Sequence, residues 1–405
     1  MKSKTASSRR DFIKISAAGA AGVVMAPAVH AANINEPYNK IFPEKTIIYR
    51  TLGKTGFKVP VISSGAISID NDNLVRAVMR SGILHIDTAH GYHKGKNEEV
   101  LGKLLKDFNR DDFVIGTKVD MPQDEETGLF TEEATTEEFL RKLDISLERL
   151  GMESVDILYL HSVENKEGVL NEQMLKALKI AKEKGKTRFT GVSTHKNEPE
   201  VIQAAIDSKF YDVVLTAINY QLPHHVDIQT AVKKATDAGL GVIAMKVMAG
   251  NYLDKEKKKP VNKTAALKWV LQDENIHTAI LTIRTFGDLE EYMAVMENLK
   301  LTETEKKDLE YDDTQGSLFC PACGKCQDQC RAHLPIPDIM RAYMYTYGYR
   351  DLYKAHDLMT RLNIPDNVCA DCGVCTVNCT IGFDVAERIS DVARLKSIPS
   401  EFLEV

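Results

Sequence analysis

From Val61 onward, short runs of β-branched and aliphatic residues alternate with longer stretches in which apolar residues recur every three or four positions. Gly, Pro, Asn or Asp separates the two kinds. The short runs predict strands near Val61–Ile67, Ile83–Ala89, Phe113–Val119, Val155–Ser162, Thr187–Thr194, Val213–Tyr220, Gly241–Met248 and Thr278–Ile283. The stretch after each reads as helix. In Asn97–Phe108, Leu101, Leu104, Leu105 and Phe108 share one face; in Asn171–Gly185, Met174, Leu175, Leu178 and Ala181 do, with Gly185 placed as a C-cap. Runs such as Val-Asp-Ile-Leu-Tyr-Leu and Gly-Val-Ile-Ala-Met have the near-continuous apolarity of strands buried on both faces.

Strand-helix pairs repeated eight times predict a closed (β/α)8 TIM barrel spanning residues 45–310. No Gly-x-Gly-x-x-Gly follows any of the strands, which speaks against an open doubly wound sheet. Before the first strand, Ile47–Pro60 carries Gly53-Lys54-Thr55-Gly56 between two apolar stretches, a hairpin suited to plugging the barrel bottom. Thr302-x-x-Glu305 has capping-box spacing and opens a last helix. A chain of 405 residues exceeds one ordinary core, so a second, smaller domain is expected.

With 43% hydrophobic and 27% charged residues, the chain is neither collagen-like, disordered nor a multispanning membrane protein. The net charge of −6 hides an asymmetry: the first 14 residues carry +4, leaving −10 for the rest. That surface repels phosphate backbones and anionic lipid, which excludes nucleic acid as a partner.

Barrel enzymes do chemistry where strands end. Asp87 ends the second strand with Tyr92 in the loop beyond, Lys118 ends the third, and His161 ends the fourth. Singly these are a helix-capping Asp, a solvated Lys and a structural His. Jointly, His85-Ile-Asp-Thr-Ala-His-Gly-Tyr92, Gly116-Thr-Lys118, Asp156-Ile-Leu-Tyr-Leu-His161 and Thr190-Gly-Val-Ser193 resemble the aldo-keto reductases over about two thirds of the chain. The resemblance implies hydride transfer between NADP(H) or NAD(H) and a small carbonyl or alcohol. Tyr92 would be the proton donor, and a cation close to a phenol favours its ionised form. Lys118 would supply that cation, Asp87 would hold Lys118, and a neutral His161 would donate to the substrate carbonyl.

For the cofactor, Ser193 matches the family's nicotinamide-amide ligand, while Thr194 and Thr216 stand where the family has Asn and Gln, and Met245 where it has a stacking aromatic. Lys246 and Arg284 follow strands seven and eight, where barrel phosphate sites form, and would hold the pyrophosphate and a 2′-phosphate. Surface cations are the plain alternative for both. The run Asp254–Asn262 reads equally as a tether or a lid.

All eight cysteines fall between Cys320 and Cys379. Cys320-x2-Cys323-x2-Cys326-x3-Cys330 repeats as Cys369-x2-Cys372-x2-Cys375-x3-Cys379, a spacing that points to two 4Fe-4S clusters. Disulfides and zinc are the alternatives. Residues 318–385 resemble two-cluster bacterial ferredoxins, which implies crossed ligation: Cys320, Cys323, Cys326 and Cys379 on one cluster, Cys369, Cys372, Cys375 and Cys330 on the other. Arg331 and Thr380 replace the Pro that usually follows each fourth cysteine, and the long insert between the motifs reads helical over Asp338–Tyr345 and Asp351–Leu362. The expected fold is therefore a barrel with a small, mainly α-helical iron-sulfur domain. The Tyr-rich stretch Tyr343–Tyr353 is expected to pack rather than carry electrons.

Ser-Ser-Arg-Arg-Asp-Phe-Ile-Lys at residues 7–14, an Ala/Gly-rich apolar run and Ala-Val-His-Ala resemble a twin-arginine export signal over residues 1–31. An amphipathic first helix or a membrane anchor is the alternative, though the run is short for a span. Together these features lead to an exported periplasmic or cell-envelope oxidoreductase, with no transmembrane span in the mature chain and a redox partner protein for the clusters. Members of the same family serve as channel subunits, so a non-enzymatic cofactor-sensing or docking subunit of a membrane redox complex is the alternative. A pure electron carrier with an inert barrel is a third reading.

Overall fold

A computed structural model describes residues 47–65, 71–124, 127–250, 260–310, 320, 322–349, 351–365, 367–369, 372–399 and 402–403. The leader 1–31 and most of the Asp254–Asn262 loop lie outside the described residues. All described residues belong to one unit, Ile34–Val405.

Strands β1 (Tyr49–Thr51) and β2 (Lys58–Pro60) form the antiparallel hairpin. Strands β3 (Ile62–Ser64), β4 (His85–Asp87), β5 (Val114–Val119), β6 (Val155–Leu160), β7 (Thr187–Thr194), β8 (Val213–Ala217), β9 (Gly241–Met245) and β10 (Thr278–Leu281) close a parallel barrel, β10 pairing with β3. Helices follow in alternation: α1 (Asp72–Arg80), α2 (Lys96–Leu104), α3 (Thr136–Leu150), α4 (Glu172–Glu183), α5 (Glu198–Ser208), α6 (His225–Asp237), α7 (Lys263–Leu271) and α8 (Phe286–Glu297). The short α9 (Glu303–Asp308) opens on the Thr302–Glu305 capping box. Several strands are shorter than their apolar runs, because residues such as Thr88 and Ala89 stay buried after the ladder has ended.

Two-residue alternation sorts each strand between two cores. Ile157, Tyr159, Val213, Leu215, Ile243 and Met245 point inward with Leu52 of the hairpin, while Leu158, Leu160 and Val214 pack outward against helices. The hairpin does plug the bottom. A Cβ at Gly53 would stand 2.4 Å from the Gly241 nitrogen, and its φ of +48 excludes most side chains there. The bottom is also pinned by carboxylates: Asp156 accepts from the Ile115 backbone (2.9 Å) and Arg110 (2.8 Å).

Beyond the barrel come α10 (Ile336–Tyr343), a π-helical turn over Met344–Tyr349, α11 (Leu352–Leu362) and α12 (Val385–Ala393). Ile339, Met340, Met359, Ile389 and Val392 form their core. This domain runs past the expected end at 385, because α12 supplies one of its walls through Val385, Ile389 and Val392. Its π turn lies in the seam between domains: Met344 is buried with the barrel core, and Tyr343 with the C-terminal core.

Candidate active site

Alternation along β5 turns Val114, Gly116 and Lys118 the same way, so an apolar position at the bottom leads to a cation at the top. Lys118 is 1% exposed and donates to Asp87, to the Thr88 carbonyl at 2.7 Å and to the Tyr92 hydroxyl at 3.5 Å. Burial works against the Lys118 ammonium, but Asp87 and Tyr92 outweigh it and hold the amine charged. Negative charge developing on the Tyr92 oxygen as it gives up a proton therefore meets a fixed ammonium. Beneath them Tyr159 fills the barrel between Gly116 and Gly191; a Cβ on Gly191 would come within 2.4 Å of the Tyr159 ring.

His161 stands beside Tyr92, ring centres 6.0 Å apart. Its Nδ1 lies 2.5 Å from an Asp120 carboxylate oxygen. Burial pushes the Asp120 carboxyl up, and the hydrogen bond and charge of His161 bring it below its ordinary value. An ionised carboxylate only accepts, so Nδ1 carries the hydrogen and the other ring nitrogen of a neutral His161 can only accept. With Nδ1 turned to Asp120, donation from the other ring nitrogen to a carbonyl would need a hydrogen on that nitrogen as well. Asp120 was missed in the sequence, although it directly follows β5.

The loop carrying Tyr92 is held by groups with no sequence signature. Thr88 donates to Asn97 (2.8 Å), and His90 Nδ1 meets the Ser146 hydroxyl (3.0 Å). Arg149 donates to the His90 carbonyl (2.9 Å) and to Glu98 (3.2 Å), which is fully buried and also accepts from Thr117 (2.7 Å). Backbone strain gathers at this end of the barrel. His93 and Lys94 follow Tyr92, Ser162 follows His161 and Lys246 follows β9, all with φ between 50 and 55.

The expected cofactor residues separate into two groups. Ser193, Thr194 and Thr216 are fully buried at strand ends. Ser193 accepts from the Ser162 backbone (2.9 Å), leaving its own O–H to give, and Thr194 donates to the Lys196 carbonyl (2.7 Å). The two cations lie in different surroundings. Lys246 donates to Tyr345 of the C-terminal domain (3.2 Å). Arg284 is exposed, and the start of α8 beside it is filled by a carboxylate: Asp288 accepts from the Arg284 and Thr285 backbones at 3.2 and 3.0 Å. Asp288 closes a capping box with Thr285 at the start of α8.

The C-terminal domain approaches the strand ends. Tyr353 stacks on His93 with ring centres 6.0 Å apart, and Lys354 stands 5.7 Å over the Tyr92 ring. Arg341 reaches Glu164, in the loop after β6, at 3.9 Å. The Tyr-rich stretch thus divides: Tyr343 and Tyr347 pack together with ring centres 4.6 Å apart, while Tyr345 and Tyr353 meet the barrel.

All eight cysteines are free thiols. Cys320, Cys323, Cys326 and Cys379 line one cavity with Met340 and Phe383. Cys369 lies within electrostatic reach of Cys375, Cys372 and Cys330. Burial pushes the Cys320 thiol up to about 12, and its sulfur accepts from the Ala322 backbone (3.4 Å). Among the described residues, no three His, Cys, Asp or Glu side chains converge as they would around one metal ion.

Known proteins share the barrel half. The model of the aldo/keto reductase family matches residues 68–265. The chain is 27% identical over 329 residues to the L-glyceraldehyde 3-phosphate reductase of Escherichia coli O157:H7, covering 67% of this chain and 93% of that protein. It is 34% identical over 161 residues to the L-galactose dehydrogenase of Arabidopsis thaliana, covering 36% and 47%. Among solved structures, the holo form of an aldo-keto reductase from Bacillus halodurans superposes at a TM-score of 0.53 with 19% identity, over 65% of this chain and 96% of that one, which speaks for the fold. With the strand order and the four convergent side chains in place, the barrel of this chain is similar to the aldo/keto reductase family, whose model it matches over residues 68–265.

Proposed function

We propose that the protein is an exported oxidoreductase that interconverts a small carbonyl and its alcohol at the barrel mouth, with two 4Fe-4S clusters in the C-terminal domain serving electron transfer to a redox partner. The observation that carries the catalytic half is the contact of Tyr92, Lys118 and Asp87, with His161 alongside. In the reducing direction Tyr92 gives its proton to the carbonyl oxygen, Lys118 offsets the phenolate left behind, and the His161 imidazolium holds that oxygen in place. In the oxidising direction the Tyr92 oxygen takes the proton back from the alcohol.

A nicotinamide held at the strand ends would supply or accept the hydride. Ser193, with an O–H to give, fits its amide, and Thr216 is the buried hydroxyl on the adjacent strand. Lys246 and Arg284, which follow β9 and β10, would hold the phosphates of NADP(H) or NAD(H).

For the clusters, the support is the duplicated spacing together with the grouping of the fourth cysteine of each motif with the first three of the other. Four thiols around an apolar cavity, with a backbone N–H already on one sulfur, suit a thiolate-bound group. Export rests on the leader sequence alone. Anaerobic purification, metal and sulfide analysis, and identification of small molecules released on denaturation test this reading. About eight iron and eight sulfide per chain with released NADP(H) or NAD(H) is expected; colourless, iron-free protein overturns the cluster assignment.

A further inference from the structure

Beyond β9 stands a second phenol-ammonium pair, and only half of it belongs to the barrel. The π turn Met344–Tyr349 places the Tyr345 hydroxyl 3.2 Å from Lys246 Nζ, with the ammonium 5.2 Å from the ring centre. Tyr92 and Lys118 stand in the same relation, at 3.5 and 5.0 Å. π turns inside helices recur at functional sites, and Lys246 itself is held at a φ of 55.

The charges facing Tyr345 come from three elements. Lys246 follows β9, Arg341 lies on α10 and Lys354 on α11; the neighbouring phenol is Tyr349, ring centre 6.2 Å away. Arg341 is offset by Asp338 (3.4 Å) and Glu164 (3.9 Å), and Lys354 by Asp351 (3.5 Å). Among the described residues no carboxylate pairs with Lys246. Burial raises the Tyr345 phenol, but the three cations outweigh it and bring it down to about 8. Lys354 also stands over the Tyr92 ring, so one ammonium lies within reach of both phenols.

We propose that Tyr345, paired with Lys246, is a second acid-base catalytic residue supplied by the C-terminal domain, and that the site takes a hydroxycarbonyl or the corresponding polyol. The inference rests on the oxidoreductase reading above. One phenol suffices for a substrate with a single reacting oxygen; a second phenol matches a second oxygen. As phenolate, Tyr345 takes the proton of that second hydroxyl, the O–H electron pair remaining on the substrate oxygen, and it returns the proton when the substrate oxygen is to leave neutral. Lys246 is the counter-ion in both states.

The test uses the full chain with its metal, as wild type, Tyr345→Phe, Lys246→Met and Tyr92→Phe. Ultraviolet difference titration is expected to find one phenol ionising near pH 8 in the wild type, absent in Tyr345→Phe and displaced to higher pH in Lys246→Met. Turnover of glyceraldehyde and of propanal is then compared. Tyr345→Phe is expected to lower the glyceraldehyde-to-propanal ratio of kcat/KM about 10²-fold and to remove the corresponding limb of the pH profile. Identical titrations of wild type and Tyr345→Phe below about pH 9 overturn the proposal, as does an equal loss on both aldehydes. If neither aldehyde is turned over, the titration alone decides. Unimpaired turnover by Tyr92→Phe sinks the role proposed for Tyr92 instead and leaves the titration result standing.

Discussion

His85 occupies the inner face of β4, with no exposed surface, and its Nδ1 meets the Ser63 hydroxyl (2.9 Å), which in turn meets Thr278 (2.6 Å). Burial first and the Lys118 charge second push its pKa down to about 3. The folded chain thus refuses a proton that the unfolded chain accepts below the ordinary histidine value of about 6.5. The unfolded state binds more protons in that window, so stability falls as the pH falls, by up to about 1.4 kcal/mol per pH unit. His85→Gln is expected to flatten that decline between about pH 6 and 4, read from urea midpoints; an unchanged slope assigns the acid sensitivity elsewhere. Asp120 acts at the same level of detail by fixing the proton on His161. Asp120→Asn can present an amide N–H to the ring nitrogen and reverse that arrangement. Its kcat is expected to fall about 10²-fold with KM little changed, and a kcat within twofold of wild type would contradict the imidazolium role.

Among the larger pieces, the β4–α2 segment decides whether Tyr92 meets Lys118 at all. Its hold on the barrel runs through Arg149 at the end of α3, which bonds both the His90 carbonyl and buried Glu98. Burial raises the Glu98 carboxyl, so removing its cation leaves an expensive charge. Arg149→Met is expected to cost about 3 kcal/mol in denaturant unfolding, with much of that recovered by adding Glu98→Gln. A loss below about 0.5 kcal/mol would show that the network does not support the loop. The strands that present Asp87, Lys118 and His161 were legible in sequence, because alternation and the strand-end rule both act locally. Glu98, Arg149 and Asp120 were not. A buried Glu-Arg pair joining two helices leaves no period and no spacing, and an Asp after a strand looks like any turn residue.

Over the whole chain, the barrel and the cysteine domain read as separate in sequence and meet in space. Met340 of α10 lines the thiol cavity, and the next residue, Arg341, reaches toward the barrel at Glu164. The ferredoxin resemblance implies a grouping of thiols by alternate motif, whereas the contact of Lys246 with Tyr345 has no counterpart in the sequence. Nothing around Lys246 announces that residue 345 will arrive beside it, because the approach depends on how two domains dock. The central claim is that a phenol poised by an ammonium performs the carbonyl chemistry in a protein whose cysteines lie elsewhere. Tyr92→Phe, assayed for carbonyl reduction and alcohol oxidation beside its iron content, tests this most directly. Turnover is expected to fall at least about 10³-fold with iron unchanged. Retained turnover at wild-type iron content would contradict the account.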